Sequence, residues 1–305
     1  MDHHHTTRRG ALRCMGIGAG TLFSLSGGIL TATGIAEAAT RGAAVGTPLF
    51  LQISDTHIGF NAPANPDVGG TLTRAIGLVN AMPAPPAFVI HTGDITHLAK
   101  PAQFDTAAQL LSTMRVGELH TVPGEHDVSG DRGAEYFNRF GAASGGKGYY
   151  SFDHAGVHFV ALMNVMDFKV DQLGRLGDEQ LAWLADDLHS RSASQPIVLF
   201  AHMPLWTVYE PWGWGTGDAD QVMALVRRFG SVTVLNGHIH QIVQKVEGHI
   251  TFHTARSTAF PQPMAGTAAG PGPLAVPPDL LAGMLGVTSI SRKGLSLAVD
   301  DTSLA

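Results

Sequence analysis

Five short apolar runs in this chain each stop at residues of the kind that bind metals. PLFLQIS leads to Asp55 and His57, AFVIHTG to Asp94, LHTVPG to Glu125 and His126, IVLFA to His202, and VTVLNG to His238 and His240. A short apolar run bounded by turn residues reads as a strand buried on both faces. Several of these, separated by amphipathic segments, restrict the chain to an α/β fold. Open α/β sheets place their sites beyond the C-terminal ends of the strands, and that is where these residues stand. Asp55/His57 and His238/His240 are spaced i, i+2, which in an extended segment turns both side chains to one side. One His beside a strand is ordinarily structural. The same pattern at five strand ends points to a metal site held by carboxylates and imidazoles.

The remaining segments fit this frame. Helices are predicted over 70–81, stopped by Pro83, Pro85 and Pro86, and over 101–114, with Pro101 at the start. AEYFNRFGA reads as a short helix, and 177–190 and 218–229 as two more. Residues 148–164 alternate and break at Ala155-Gly156, as a hairpin does. A second hairpin turns near Gly248 and a last one spans 285–300 through Arg292, Lys293 and Gly294. The Pro-, Gly- and Ala-rich stretch 261–278 reads as a surface loop or a linker. No repeat divides the chain, so residues 39–305 are expected to form one domain.

Residues 1–38 read as a targeting segment. Paired Arg8 and Arg9 precede a Gly-rich, weakly apolar stretch, and Ala36-Glu37-Ala38 supplies a small-residue cleavage site. This resembles a twin-arginine-type signal, which implies the export machinery as a partner and a periplasmic or secreted location. The other reading is an uncleaved membrane anchor. Cys14, the only cysteine, lies in this segment. Beyond it neither a disulfide nor a thiolate zinc site is available, so a metal must be held by His and carboxylate. Gly16, Gly18 and Gly20 imitate a dinucleotide fingerprint, but no strand precedes them. A formal charge of −6 gives no basic balance for a nucleic-acid scaffold.

In order along the chain stand D55-T-H57, G93-D94, G124-E125-H126-D127, H202 and G237-H238-I-H240. This succession resembles that of the calcineurin-like metallophosphoesterases, over about residues 48–300. The resemblance implies a four-layer α/β/β/α sandwich of the metallo-dependent phosphatase type, with a dinuclear metal site at the strand C-terminal ends. It implies that Asp55, His57 and His240 hold one ion, that Glu125, His202 and His238 hold the other, and that Asp94 bridges them. His126 becomes the catalytic residue that faces substrate. Asp127 would serve the surrounding backbone or the His network. Two divalent or trivalent ions (Mn, Fe or Zn) suit such donors. The implied reaction is hydrolysis of a phosphoric ester by a metal-bridging hydroxide. A small phosphodiester such as a cyclic nucleotide is the expected substrate. The alternative is a non-catalytic metal-binding or interaction protein on the same fold.

Two positions depart from the family pattern. Glu125 stands where Asn is usual, adding a third carboxylate, which favours either a less charged diester over a monoester dianion or a stronger Lewis acid. His97 follows Asp94 by three residues and is an added ligand, a proton carrier or a surface residue. His91, inside its strand, reads as a packed residue behind the site, and His253 is expected to pack near it. The segment 203–218 holds Trp206, Tyr209, Trp212 and Trp214. These rings either contact substrate or fill the core of their own loop.

Overall fold

The computed structural model describes residues 21–26, 29–34, 48–169, 172–294 and 296–305. Strands β1 (Thr21–Ser26) and β2 (Ile29–Gly34) pair antiparallel. Most of residues 1–38, read above as an export signal, lie outside the described residues. Residues Thr47–Ala305 make a separate compact unit.

Two mixed sheets build that unit. In the first, β3 (Phe50–Ile53), β4 (Phe88–His91) and β5 (Glu118–Thr121) run parallel. The antiparallel strands β12 (Gly286–Lys293) and β13 (Ser296–Ser303) extend it to the order β13-β12-β3-β4-β5. The second contains β6 (Tyr150–His154), β7 (Val157–Ala161), β8 (Ile197–Phe200), β9 (Val232–Asn236), β10 (Val243–Glu247) and β11 (Ile250–Thr254). Its order is β10-β11-β9-β8-β7-β6.

The central strands are buried along their whole length because both their faces are covered. Alternate residues sort into different layers. Phe50, Phe88, Ile90, Phe159, Val198, Phe200 and Ile290 pack together between the sheets. Leu51, Ile53 and Val89 instead join helices α1 (Val68–Asn80) and α2 (Pro101–Leu111). On the far side, Val160, Leu199 and Val234 meet the helices later in the chain. The molecule is thus the expected α/β/β/α sandwich, with one apolar seam between sheets and one under each helical layer.

Helix ends follow local chemistry. α1 starts at Val68 because the Asp67 carboxylate accepts the Gly70 N–H at 2.8 Å. α2 stops at Leu111, where the Ser112 and Thr113 hydroxyls donate to the carbonyls of Gln109 and Leu110, both at 2.7 Å. After a one-turn helix, α3 (Glu125–Val128), come α4 (Ala134–Phe140), α5 (Asp178–His189) and α6 (Ala219–Val226). A seventh helix, α7 (Pro278–Met284), begins on a proline within what the sequence offers only as the end of a loop. Among the described residues no helix is long and apolar enough to cross a membrane.

Candidate metal centre

The ligand-type residues lie beyond the strand ends, but not on extended backbone. Asp55 (φ 53°), His57 (φ 41°), Asp94 (φ 53°), His238 (φ 71°) and His240 (φ 53°) are all left-handed. The convergence of Asp55 with His57, and of His238 with His240, therefore comes from left-handed corners, not from the pleat that the i, i+2 spacing suggests. Each such residue costs about 1 kcal/mol or more and persists only where its surroundings over-determine it. Backbone bonds do this here: the Asp55 N–H donates to Gly93 O at 3.0 Å, and the His57 N–H to Asp94 O at 2.9 Å. They lock the loop after β3 to the loop after β4. At the crossing, a Cβ on Gly93 would lie 2.6 Å from His202 Nδ1 and 2.7 Å from Gly124 N, so only glycine fits.

Seven side chains converge in two groups that meet at Asp94. In one, His57 Nε2 is 3.2 Å from His240 Nε2, which is 3.4 Å from Asp55 Oδ1. In the other, the Glu125 carboxylate reaches His202 Nε2 at 2.8 Å and His238 Nδ1 at 3.1 Å. Asp94 Oδ2 stands between them, 3.4 Å from His57 Nε2 and 3.5 Å from His202 Nε2.

Cations fit this arrangement. The Nδ1–H of His202 donates to Thr92 O at 2.7 Å, and that of His240 to Phe260 O at 2.6 Å. Each ring therefore turns its Nε2, the atom an ion would take once any proton has left, inward, the usual arrangement behind a metal-binding imidazole. Asp55, Asp94 and Glu125 pair only with imidazoles, and among the described residues no Lys or Arg pairs with them. Lone pairs facing one another beside three buried carboxylates suit two ions bound through nitrogen and oxygen. A one-way hydrogen-bond chain backs the first group: Gln52 Nε2 donates to Thr92 Oγ1, Thr92 Oγ1 to Ser54 Oγ, and Ser54 Oγ to the Asp55 carboxylate.

The charges within the cluster act in opposite directions. Burial, then Glu125, push Asp94 well above the usual carboxylate range. Burial would raise Glu125 too, but His238 and His202 hold it well below that range. Burial opposes charge on His202, yet Asp94 and Glu125 together raise it well above 6.5. His57 is pushed well below that value by burial, then by His126, His240 and His97. Protons held in the cluster must leave when ions enter.

Helix α3 sets Glu125 and His126 beside this cluster. Its anchor is Asp127, fully buried, whose carboxylate accepts from the N–H groups of Gly124, Ile95 and Thr96 and from the Thr96 hydroxyl, all within 3.0 Å. The His126 N–H donates to Asp94 Oδ1 at 3.0 Å and its Nδ1–H to His97 O at 2.7 Å, leaving Nε2 free. His97 is no surface residue. Its ring stacks on His126 with centroids 4.8 Å apart, and its Nδ1 lies 3.4 Å from His57 Nδ1. Burial and His126 lower it to about 4. His91 packs behind the site. The Gly93 N–H donates to its Nδ1, and its Nε2–H meets Thr56 Oγ1, whose own hydrogen goes to Ile95 O. This neutral tautomer agrees with a pKa pushed to about 3, chiefly by burial. His253 is not in the cluster. It reaches Asp301 Oδ1 at 3.2 Å, joining β11 of one sheet to β13 of the other.

A cavity of about 400 Å³ opens beside Glu125, His126 and His238, with Phe168, Trp212 and Trp214 in its walls. The aromatic loop therefore divides. Trp206 is not a wall of this cavity. It packs near Phe252, under Lys245 Nζ at 5.2 Å, beside a different pocket. Tyr209 is absent from the walls as well and stands edge-on to Trp212 at 5.3 Å. Spacing within the loop gives no means of separating the two pairs, because the backbone doubles back between Tyr209 and Trp214. Phe168 and Gln262 carry no motif that would have marked them. Gln262 comes from the Pro-, Gly- and Ala-rich stretch, where its Nε2 donates to His238 O at 2.8 Å and its Oε1 accepts the Gly272 N–H at 3.0 Å. That stretch is an ordered loop against the site.

A two-sheet sandwich with carboxylates and imidazoles gathered at the strand C-terminal edge defines a metal-dependent hydrolase. The sequence model of the calcineurin-like phosphoesterases matches residues 48–242. The chain belongs to that family and is a metallophosphoesterase. It is 26% identical over 233 residues to a glycerophosphodiester phosphodiesterase of Enterobacter lignolyticus, covering 70% of this chain and 79% of that one. To a probable cyclic nucleotide phosphodiesterase of Rhodopseudomonas palustris it is 27% identical over 225 residues, 69% of this chain and 78% of that one. Among solved structures, a dimetal phosphatase from Danio rerio superposes with a TM-score of 0.59 at 15% identity, covering 85% of this chain and 98% of that one. This last likeness is one of fold.

Proposed function

We propose that this chain hydrolyses a small phosphodiester, such as a cyclic nucleotide, at the Asp94 cluster. The carrying observation is the pair of donor groups meeting at Asp94 with the free Nε2 of His126 alongside. In this reading Asp55, His57 and His240 hold one ion, Glu125, His202 and His238 the other, and Asp94 lies between them. Such ions supply Lewis acidity to the phosphoryl oxygens and lower the pKa of a water. The chain's own groups do the rest. His126, fixed through His97 O and Asp94, presents Nε2 to the substrate. As the bond from phosphorus to the leaving oxygen breaks and a water oxygen takes its place, the protonated ring can give its Nε2 proton to that leaving oxygen. Glu125 makes the site more negative, which disfavours a monoester dianion. The similarity to two phosphodiesterases supports the same preference. Residues 1–38 serve, on this reading, to export the protein to the periplasm or beyond, and N-terminal sequencing of the exported form would test it.

The experiment is manganese-reconstituted protein assayed side by side on bis(4-nitrophenyl) phosphate and 4-nitrophenyl phosphate, with a chelator control. Chelator-sensitive turnover, faster on the diester, is expected. Faster monoester turnover would remove the diester assignment. Two bound ions with no turnover of either ester would favour the non-catalytic metal-binding reading.

A further inference from the structure

The cavity beside His126 differs from the cluster it adjoins. Its walls are Phe168, Trp212, Trp214 and Pro271 on the apolar side, and among the described residues no Lys or Arg lines it. Of the polar side chains in the walls, Gln262 and Ser129 already have partners, whereas Trp214 Nε1 has none among the described residues. Gln262 spends both ends of its amide on His238 O and the Gly272 N–H, and Ser129 Oγ donates to His126 O at 3.1 Å. Among the described residues Glu125 is the one carboxylate in the walls, which offer no Lys or Arg to a second anionic group on a ligand. At about 400 Å³ the space is near the lower end of small-molecule pockets.

We infer that this cavity is the subsite for one esterified alcohol of the substrate, and that it selects an uncharged, apolar alcohol with a flat ring or a short hydrocarbon body. This rests on the phosphodiesterase reading above and narrows it from a cyclic nucleotide to an open diester, whose two ester oxygens belong to separate alcohols. Alcohols bearing a carboxylate or a further phosphate are disfavoured, because no Lys or Arg among the described wall residues compensates their charge. Trp212 is the principal contact. Its ring stands edge-on to Trp214 with centroids 5.0 Å apart, so the two form a corner against which a planar group can pack.

The test is calorimetric titration of the full-length, manganese-loaded protein with three methylphosphinates that carry a phenethyl, ethyl or 3-carboxypropyl group on phosphorus through carbon, so that no ester bond can be cleaved. The phenethyl phosphinate is expected to bind ~tenfold or more tightly than the ethyl phosphinate, with the carboxypropyl phosphinate weakest. Trp212→Ala should erase the phenethyl advantage. Ser129→Trp, on the exposed rim, should erase it by filling the space, and it decides the matter if the buried tryptophan variant does not fold. Equal affinities for the three phosphinates, no phenethyl binding at millimolar concentration, or a preference that survives Ser129→Trp would overturn the inference. Hydrolysis of ethyl 4-nitrophenyl phosphate, measured separately, keeps the two readings apart. Phenethyl preference without hydrolysis leaves the subsite and removes the phosphodiesterase. Hydrolysis without preference does the reverse.

Discussion

His97 links two groups with different duties, since its ring bonds His57 and its carbonyl holds His126. Partners of this kind behind a metal-binding imidazole are worth about 10- to 100-fold in metal affinity. His97→Ala is therefore expected to weaken manganese retention in competition with a chelator by about tenfold, while circular dichroism of the protein stays unchanged. Undiminished retention would reduce His97 to packing. Glu125 makes a second prediction at this scale. Glu125→Asn removes one of three carboxylates, so the ratio of monoester to diester turnover should rise. An unchanged ratio would show that the charge of Glu125 does not set the preference. Residue types were the most legible part of this site: the side chains that gather around Asp94 stand out by chemistry and order along the chain, and of the two partners open to Asp127, backbone or His network, it takes the backbone. Orientation was not legible. The left-handed backbone at Asp55, His57, Asp94, His238 and His240 is imposed by the neighbouring loop, and His97 takes its place from contacts 40 residues away in sequence.

At the scale of elements, the one-turn helix α3 is too short to stand by its own hydrogen bonds. Asp127 replaces them. Asp127→Ala leaves three buried N–H groups without a partner, at about 1–3 kcal/mol for each group that water cannot reach. Stability in urea should fall by at least ~2 kcal/mol, and activity should fall further because Glu125 and His126 lose their common base. Retained stability would mean that water or another side chain takes over the anchoring. The strands and most helices were readable from periodicity, since a two-faced buried strand is a solid apolar run and an amphipathic helix is not. Short capped pieces were not. α3 and α7 carry too few residues for a period, and the loop at 261–278 draws its order from Gln262 contacts that no composition encodes.

For the whole molecule, the two sheets supply the clustered side chains jointly: Asp55, His57 and Asp94 follow strands of one, and His202, His238 and His240 follow strands of the other. Ions bound there would favour the folded state by mass action, about 2.7 kcal/mol at a hundredfold excess over Kd. Chelation should lower Tm by several degrees, and an unaltered Tm would place the metals outside the cluster. Acid acts in the same direction through His91. Folded, it titrates near 3 and otherwise near 6.5, so the unfolded chain binds the extra proton between those values. Stability from its neutral state is complete above 6.5 and declines as pH falls toward 3. His91→Gln should flatten that decline in thermal melts of chelated protein. The strand ends by themselves marked an α/β fold; the four-layer plan was legible only through the family resemblance that their ligand order carries.

The two halves of the cluster do not have the same access to solvent. Glu125 and His238 line the open cavity, whereas Asp55, His57 and His240 are buried with no more than 2% of their surface exposed. The halves should consequently differ in kinetics, even where their affinities are alike. An ion held by Glu125, His202 and His238 would trade with bulk solution through the opening, whereas one held by Asp55, His57 and His240 would leave only when Phe260, packed on His57 and His240, moves aside. Isotope exchange of bound manganese is then expected to show a fast and a slow phase of equal amplitude. Cellular metal supply would set the occupant of the outer position, and the history of folding would set that of the inner one.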